Sequence, residues 1–361
     1  MKKVKYAIVG FGGIAENRIA REGFGLDREH FRTPPEARLV GVTDLSEARR
    51  ANAEKLGLKW YPSVENIASD RAIDAVFIAT NNLSHVTVAE KLIASGKHLI
   101  IEKPMATTLA DAAKLMDLAG RGGISLAVDH MMVYNGYNRK ARELIAAGEL
   151  GEVNDISLHM EFPYGYTPQE AGTWRCADPA EIGGPIGDVA SHCLYMAEFL
   201  LGERIVAVQA SYTPAVNRLN VENGAFLRFR TERGVRGSVR VSFADARGAM
   251  QSIFLNLGFE VYGNKQTLRA YGTLFQLSGH RHEPVALRLE LDDFRKVKTM
   301  RVSGRKNIYQ QVIREHALSI RRGPRMTGED GYRNLQLVLA AYESAGNHGQ
   351  EITINIGGHH G

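Results

Sequence analysis

The chain has 361 residues, 44% of them hydrophobic and 24% charged, with 37 glycines and a net charge of +5. That length supports more than one core, since domains usually hold roughly 100–200 residues, and no run of about 18 apolar residues exists that would span a bilayer. The basic excess is interspersed with acids and its densest group, Arg321, Arg322 and Arg325, is short, so no nucleic-acid partner is expected and an anionic cofactor is the simpler one.

Two cysteines, Cys176 and Cys193, are too few for a disulfide framework and belong to no ligand cluster; free thiols and no metal are expected. The basic start, Met1-Lys2-Lys3-Val4-Lys5, runs straight into a strand with no long apolar region or cleavage site, so the expected location is cytoplasmic. The terminal Gly357-Gly358-His359-His360-Gly361 is set aside from the site.

The first strand, over 6–9, breaks into Gly10-Phe11-Gly12-Gly13-Ile14-Ala15 and then into a helical pattern. This is a G-x-G-x-x-A turn in the context a dinucleotide requires: Gly10 permits the tight turn, Gly12 admits the pyrophosphate to the backbone, and Ala15 lets helix pack on strand. The next strand, over 38–43, ends at Asp44, where a carboxylate suits a ribose and repels a 2′-phosphate, favouring NAD over NADP. The same carboxylate also suits a cap for a helix starting near Ser46, and Arg49 and Arg50 are near enough in sequence to meet a phosphate.

Further βα units follow: a strand over 73–80, a helix over 84–94, a strand ending at Ile101, a helix over 108–119 and a strand over 124–128. Such alternation predicts a doubly wound parallel sheet with helices on both faces, a Rossmann domain over 1–128. The loop Thr80-Asn81-Asn82-Leu83-Ser84-His85 leaves a strand tip on the edge that carries the glycine turn. In Leu99-Ile100-Ile101-Glu102-Lys103-Pro104 an apolar run stops at a carboxylate and an ammonium. Ligands sit beyond the carboxyl ends of such strands, so Lys103 either points into the crevice or forms a surface pair with Glu102.

A helix over 136–147 hands over to alternating segments at 153–160, 206–212, 225–230, 237–243, 253–262, 267–277 and 285–291, then a helix over 327–345 and a last strand over 351–354. Alternation of this kind predicts an α+β domain over 129–361 with a large, mostly antiparallel open sheet. Within it Gly183-Gly184-Pro185-Ile186-Gly187-Asp188-Val189-Ala190-Ser191-His192 reads as helical. Asp188 and His192, four apart, would share one helix face, where a carboxylate orients an imidazole; the same spacing also serves surface contacts and caps.

Ala79-Thr80-Asn81-Asn82-x-x-His85, Gly96-Lys97-His98 and Glu102-Lys103-Pro104-Met105-Ala106 together resemble the glucose-fructose oxidoreductase, inositol dehydrogenase and rhizopine catabolism protein family (Gfo/Idh/MocA), and the likeness runs nearly the length of the chain. Asn81 stands where the family usually has proline; Pro185 and Ala190 replace glycines of its Gly-Gly-Gly-x-x-x-Asp-x-Gly-x-His stretch; Tyr195 stands where it often has aspartate. The resemblance implies NAD(P)-dependent hydride transfer on sugars or cyclitols. It implies a catalytic set of Lys103, Asp188 and His192, cofactor contacts from Gly10, Gly12, Gly13, Ile14, Asp44, Thr80, Asn82, His85, Glu102 and Lys103, and substrate contacts from Trp174, Arg175, Asp188, Tyr195 and Lys103. It further implies a homodimer or homotetramer assembled through the open sheet. Two rival readings use the same scaffold: a glycosidase that oxidises its substrate transiently with bound NAD, and a non-catalytic sugar and NAD sensor. Retention of Lys103, Asp188 and His192 together speaks against the sensor.

Overall fold

The apolar runs of the first half fold as covered parallel strands. In the computed structural model, which describes residues 3–245, 257–275, 287–303 and 306–355, they are β1 (Val4–Val9), β2 (Ala37–Thr43), β3 (Lys59–Trp60), β4 (Ala75–Ile78), β5 (His98–Ile101) and β6 (Leu126–Val128). All pair in parallel, in the order β3-β2-β1-β4-β5-β6. This is the doubly wound order whose direction reverses between β1 and β4, where a dinucleotide crevice opens. Val76, Phe77 and Ile78 of β4 and Leu99, Ile100 and Ile101 of β5 have no exposed surface, as strands covered on both faces require. The connecting helices include His85–Ala94 and Leu109–Arg121, the latter capped by Thr108, which accepts from the Asp111 N–H at 3.1 Å.

Contacts divide the chain into two units, Met1–Met131 with Lys306–Leu335, and Met132–Arg305 with Gln336–Gly361. A single cut after Val128 does not allow for the return of 306–335 to the first unit. The reason lies in side chains distant in sequence. Asn307 caps the helix Ile308–Arg322 and donates from Nδ2 to Glu22 at 2.9 Å, while Gln310 Nε2 donates to the Glu22 carbonyl at 3.0 Å. Further along, the Leu126 N–H donates to the Met326 carbonyl at 2.8 Å, which adds the returning chain to the edge of β6.

The second unit is built on nine strands: β7 (Val153–Glu161), β8 (Ile205–Tyr212), β9 (Gly224–Thr231), β10 (Arg236–Ser242), β11 (Leu257–Gly263), β12 (Thr267–Tyr271), β13 (Arg288–Asp292), β14 (Val297–Thr299) and β15 (Ile352–Thr353). Their order is β14-β13-β12-β11-β7-β10-β9-β8-β15, antiparallel except between β7 and β10. The expected segments 253–256, 276–277 and 285–286 lie outside the described residues, as does 357–361. Alternation is clean: Ala225, Leu227 and Phe229 are buried while Phe226, Arg228 and Arg230 are exposed. Helix Ser191–Leu201 covers the buried side, in contact with β7 and β10. The opposite side is laced by charges, with Arg269 reaching Glu260 and Asp292 at 2.8 Å each. Among the described residues no helix is long and apolar enough to cross a membrane.

His316 shows how the returning helix fits the first unit. It has no exposed surface; Nδ1 lies 2.9 Å from Tyr6 Oη and Nε2 3.1 Å from the Ser125 carbonyl. Burial pushes its pKa down to about 3, so the folded ring stays neutral where an unfolded chain takes a proton, near about 6.5. Its contribution is therefore complete above about pH 6.5 and is lost as pH falls, at up to about 1.4 kcal/mol per pH unit for one proton. His98, pushed down to about 4 chiefly by burial, adds to the same trend. Urea unfolding measured between pH 7 and 5 is expected to show His316→Gln with a shallower loss on acidification than the unmodified chain, and equal slopes would remove His316 from the account.

Candidate active site

β1 ends at Gly10, whose φ is +86° and whose Cβ position lies 2.7 Å from the Ala79 carbonyl oxygen. No side chain fits there, so the tips of β1 and β4 meet through backbone alone. Gly12 and Gly13 have no atom within 4 Å of theirs; open space stands over the turn that leads through Ile14, the N-cap, into helix Ala15–Gly23. The first N–H groups of a helix lack intrahelical acceptors, and facing open space they suit a pyrophosphate. On this observation the residues fit a dinucleotide.

Asp44, at the tip of β2, accepts the Phe11 N–H on Oδ2 at 2.5 Å and the Ser46 N–H on Oδ1 at 2.8 Å. It braces the glycine turn as well as the loop that follows it. Arg50 pairs with Glu47 at 3.0 Å and Glu54 at 2.8 Å, and Arg49 lies 3.8 Å from Glu16. Thr80 sits against Gly10 through its backbone nitrogen, and Asn82 is buried in the short turn Asn82–Ser84. His85, expected as a cofactor contact, has no exposed surface, with Nδ1 2.8 Å from the Pro104 carbonyl and Nε2 3.3 Å from that of Thr80. Its ring ties two loops together.

Lys103 is 7% exposed just beyond β5, and its N–H donates to Glu102 Oε2 at 3.2 Å. Because Ile101 pairs with Val128, the residue after β6 stands beside Glu102. That residue is Asp129, which the sequence reading passed over. It has no exposed surface, and burial first, then the neighbouring Glu102 carboxyl, push its pKa well up, with Lys103 acting the other way. An available signal was an acid directly after the apolar run Leu126-Ala127-Val128, the place Glu102 holds after β5.

In the second unit the stretch before His192 is not an α-helix throughout. Pro185–Ala190 is π-helical and the α-helix begins at Ser191. Position 187 in this wider turn must be glycine, since a Cβ there would lie 1.7 Å from the Ile182 carbonyl oxygen. The turn is clamped from outside: Glu222 Oε1 accepts the Ile186 N–H at 2.7 Å, Tyr342 Oη donates to the Gly183 carbonyl at 2.5 Å, and the Gly187 N–H donates to Tyr342 Oη at 3.1 Å. Wider winding alters what four-residue spacing means. Asp188 Oδ2 accepts from Arg175 Nε at 3.2 Å, and the guanidinium stacks 4.5 Å from the Trp174 ring centroid.

His192, 2% exposed, has Tyr195 Oη 2.9 Å from Nδ1, three residues on along the α-helix. At Nδ1 the imidazole thus meets Tyr195, expected as a substrate contact. The Met132 N–H donates to Tyr195 Oη at 3.4 Å, and the phenol oxygen can accept a second bond from Nδ1–H, the tautomer that leaves Nε2 open to a proton. A phenol both donates and accepts, so unlike a carboxylate it serves either tautomer. Among the described residues no three His, Cys, Asp or Glu side chains group to hold a metal ion.

Residues 4–130 match the family model described as oxidoreductase family, NAD-binding Rossmann fold, and residues 138–269 match that of the GFO/IDH/MocA C-terminal domain. The chain belongs to the Gfo/Idh/MocA oxidoreductase family. Its Rossmann unit is thereby an NAD-binding one, in an NAD(P)-dependent oxidoreductase. Among curated relatives in the Gfo/Idh/MocA group, a 1,5-anhydro-D-fructose reductase from Ensifer adhaerens is 29% identical, covering 86% of this chain and 89% of its own. An inositol 2-dehydrogenase from Saccharopolyspora erythraea is 26% identical over 66% of each chain. The fold superposes on the aldose-aldose oxidoreductase of Caulobacter crescentus, solved with glycerol, with a TM-score of 0.82 at 22% identity over 98% of this chain and 100% of that one.

The contacts of Asp44 generate one expectation about the cofactor. Asp44→Ser removes the charge that opposes a 2′-phosphate, so NADPH binding should tighten relative to NADH by at least about tenfold, read as the ratio of Kd values from fluorescence titration. An unmodified chain that already binds NADPH the more tightly would overturn the role given to Asp44.

Proposed function

We propose that the chain oxidises or forms a CH–OH carbon of a cyclic polyol, a pyranose sugar, a sugar derivative or a cyclitol, using NAD in preference to NADP. The observation that carries this reading is the pairing of a buried, phenol-oriented imidazole at His192 with a carboxylate–guanidinium–indole surface at Asp188, Arg175 and Trp174 in one unit. Several separated polar groups beside an aromatic face suit a ring with several hydroxyls. A small hydroxy acid needs a cation for its carboxylate, and Arg175 already serves Asp188. Relatives that act on an anhydro-sugar and on inositol support the same class.

When bound, NAD+ supplies the hydride acceptor at nicotinamide C4. His192 Nε2 takes the hydroxyl proton in oxidation and returns it in reduction, with Tyr195 Oη accepting from or donating to Nδ1 as the proton moves. The Lys103 ammonium stabilises negative charge on the substrate oxygen. General acid–base catalysis of this kind contributes about 10²- to 10⁴-fold. Tyr195 supplies no carboxylate to hold an inositol hydroxyl, so a pyranoside is the preferred substrate. We also assign the open side of the nine-stranded sheet to a second copy of the chain in a homodimer or homotetramer: Phe226 is 48% exposed there among Arg228, Arg230, Glu260 and Glu290.

A steady-state panel of pyranosides, anhydrosugars, inositols and 2-hydroxy acids with NAD, run in reverse on keto-sugars, tests the class. A best kcat/KM for a pyranoside is expected; a best value for a hydroxy acid would defeat the reading, and one for myo-inositol would defeat the argument from Tyr195. On the best substrate, Lys103→Met and His192→Asn are expected to lose at least about a hundredfold in kcat and Tyr195→Phe about tenfold, one hydrogen bond's worth, with NADH affinity kept in all three. Retention of more than about a tenth of kcat by either of the first two would remove that residue from the chemical step. Light scattering of the same preparation should give a mass above 39.8 kDa, that of one chain; a monomer would free the open sheet side from its assignment.

A further inference from the structure

Asp129 has no part in the chemistry proposed above, yet it adjoins Lys103. The parallel pairing of Ile101 with Val128 continues one residue further, where the Asp129 N–H donates to the Ile101 carbonyl at 2.9 Å. In-register neighbours in a parallel pair carry their side chains on the same side, so the carboxyls of Glu102 and Asp129 stand together. Asp129 has no exposed surface, and among the described residues no N–H or O–H reaches either of its oxygens. What meets it is the Glu102 carboxyl. Two acceptors make no hydrogen bond unless a proton lies between them, and like charges at such a separation do not both persist in a site closed to water.

Other titratable groups stand near the pair. Tyr309 Oη is buried without a hydrogen-bond partner, and burial keeps the phenol neutral. Arg18 and Glu22, which face Tyr309 from helix Ala15–Gly23, pair with each other at 2.6 Å. His130 Nδ1 lies 3.3 Å from Asp330.

We propose that Glu102 and Asp129 hold one proton between them and present a single negative charge to the ammonium of Lys103. The trio is then neutral as a whole. Lys103 then faces one anion in place of two, which would draw its Nζ from the substrate oxygen. Asp129 is a positioning residue that acts through Glu102 and Lys103, and its importance for turnover rests on the role proposed for Lys103.

Asp129→Asn and Glu102→Gln each leave one ionised carboxyl and no shared proton, and the double variant leaves neither. In infrared difference spectra of the unliganded protein at pH 8, wild type minus each single variant is expected to show a protonated-carboxyl C=O stretch. Whatever the size of kcat, the alkaline limb of its pH profile should stay in place in each single variant, because the remaining acid takes the charge. In the double variant it should fall by about one pH unit or more, a tenfold change in proton affinity. No protonated-carboxyl band, or limbs that shift as far in a single variant as in the double, would overturn the shared proton. A Lys103→Met variant that keeps its kcat would instead sink the role of Lys103, and the infrared band would still judge the pair.

Discussion

The level ending of four parallel strands is the constraint on which the cofactor edge depends. Val9 pairs with Ile78, Ile78 with Ile101 and Ile101 with Val128, so Gly10, Ala79, Glu102 and Asp129 come next to one another as the chain leaves the sheet. One residue of slip in β6 would turn the Asp129 side chain to the opposite side and leave Glu102 facing an apolar neighbour. Backbone contact at Gly10 enforces the same alignment between β1 and β4. The chemistry of the edge is thus a product of register, and register is held by burial of Val76 to Ile78 and Leu99 to Ile101 within the sheet.

Much of the first unit was legible because its signals are local. Covered parallel strands are written as unbroken apolar runs, and a glycine turn between strand and helix has few other uses. Asp44 could be placed at its strand tip but not given its bonds to Phe11 and Ser46, since these follow from how the turn folds back over β2. Asp129 escaped because its meaning comes from the strand beside it. The return of 306–335 escaped for the same reason: an amphipathic helix shows which of its sides is buried and says nothing of what buries it. Only Asn307 and Gln310 on Glu22, and His316 on Tyr6, decide that.

In the second unit the strands announced themselves by alternation, and their order did not, because seven antiparallel segments can be arranged in many ways until loops and helices choose. The pairing of Asp188 with His192 assumed 3.6 residues per turn. The turn that carries Asp188 is π-helical instead, and a phenol one α-turn beyond His192 meets its Nδ1. Spacing rules hold within regular helices, and functional turns are where regularity most often gives way.

The threading of the chain gives the first unit an unusual timetable. Six strands and the glycine turn are finished by Met131, but the helix that fills the space beside β1 and helix Ala15–Gly23 is encoded after residue 305. A growing chain that has just released its last parallel strand therefore carries a Rossmann sheet with Tyr6 and Ser125 still lacking their partner His316. Eight of the nine strands of the second sheet, all but β15, are synthesised before those positions can close. The NAD-binding unit is the first to begin and among the last to be completed, and residues 306–335, far along the sequence from the glycine turn, are part of what makes that unit a domain.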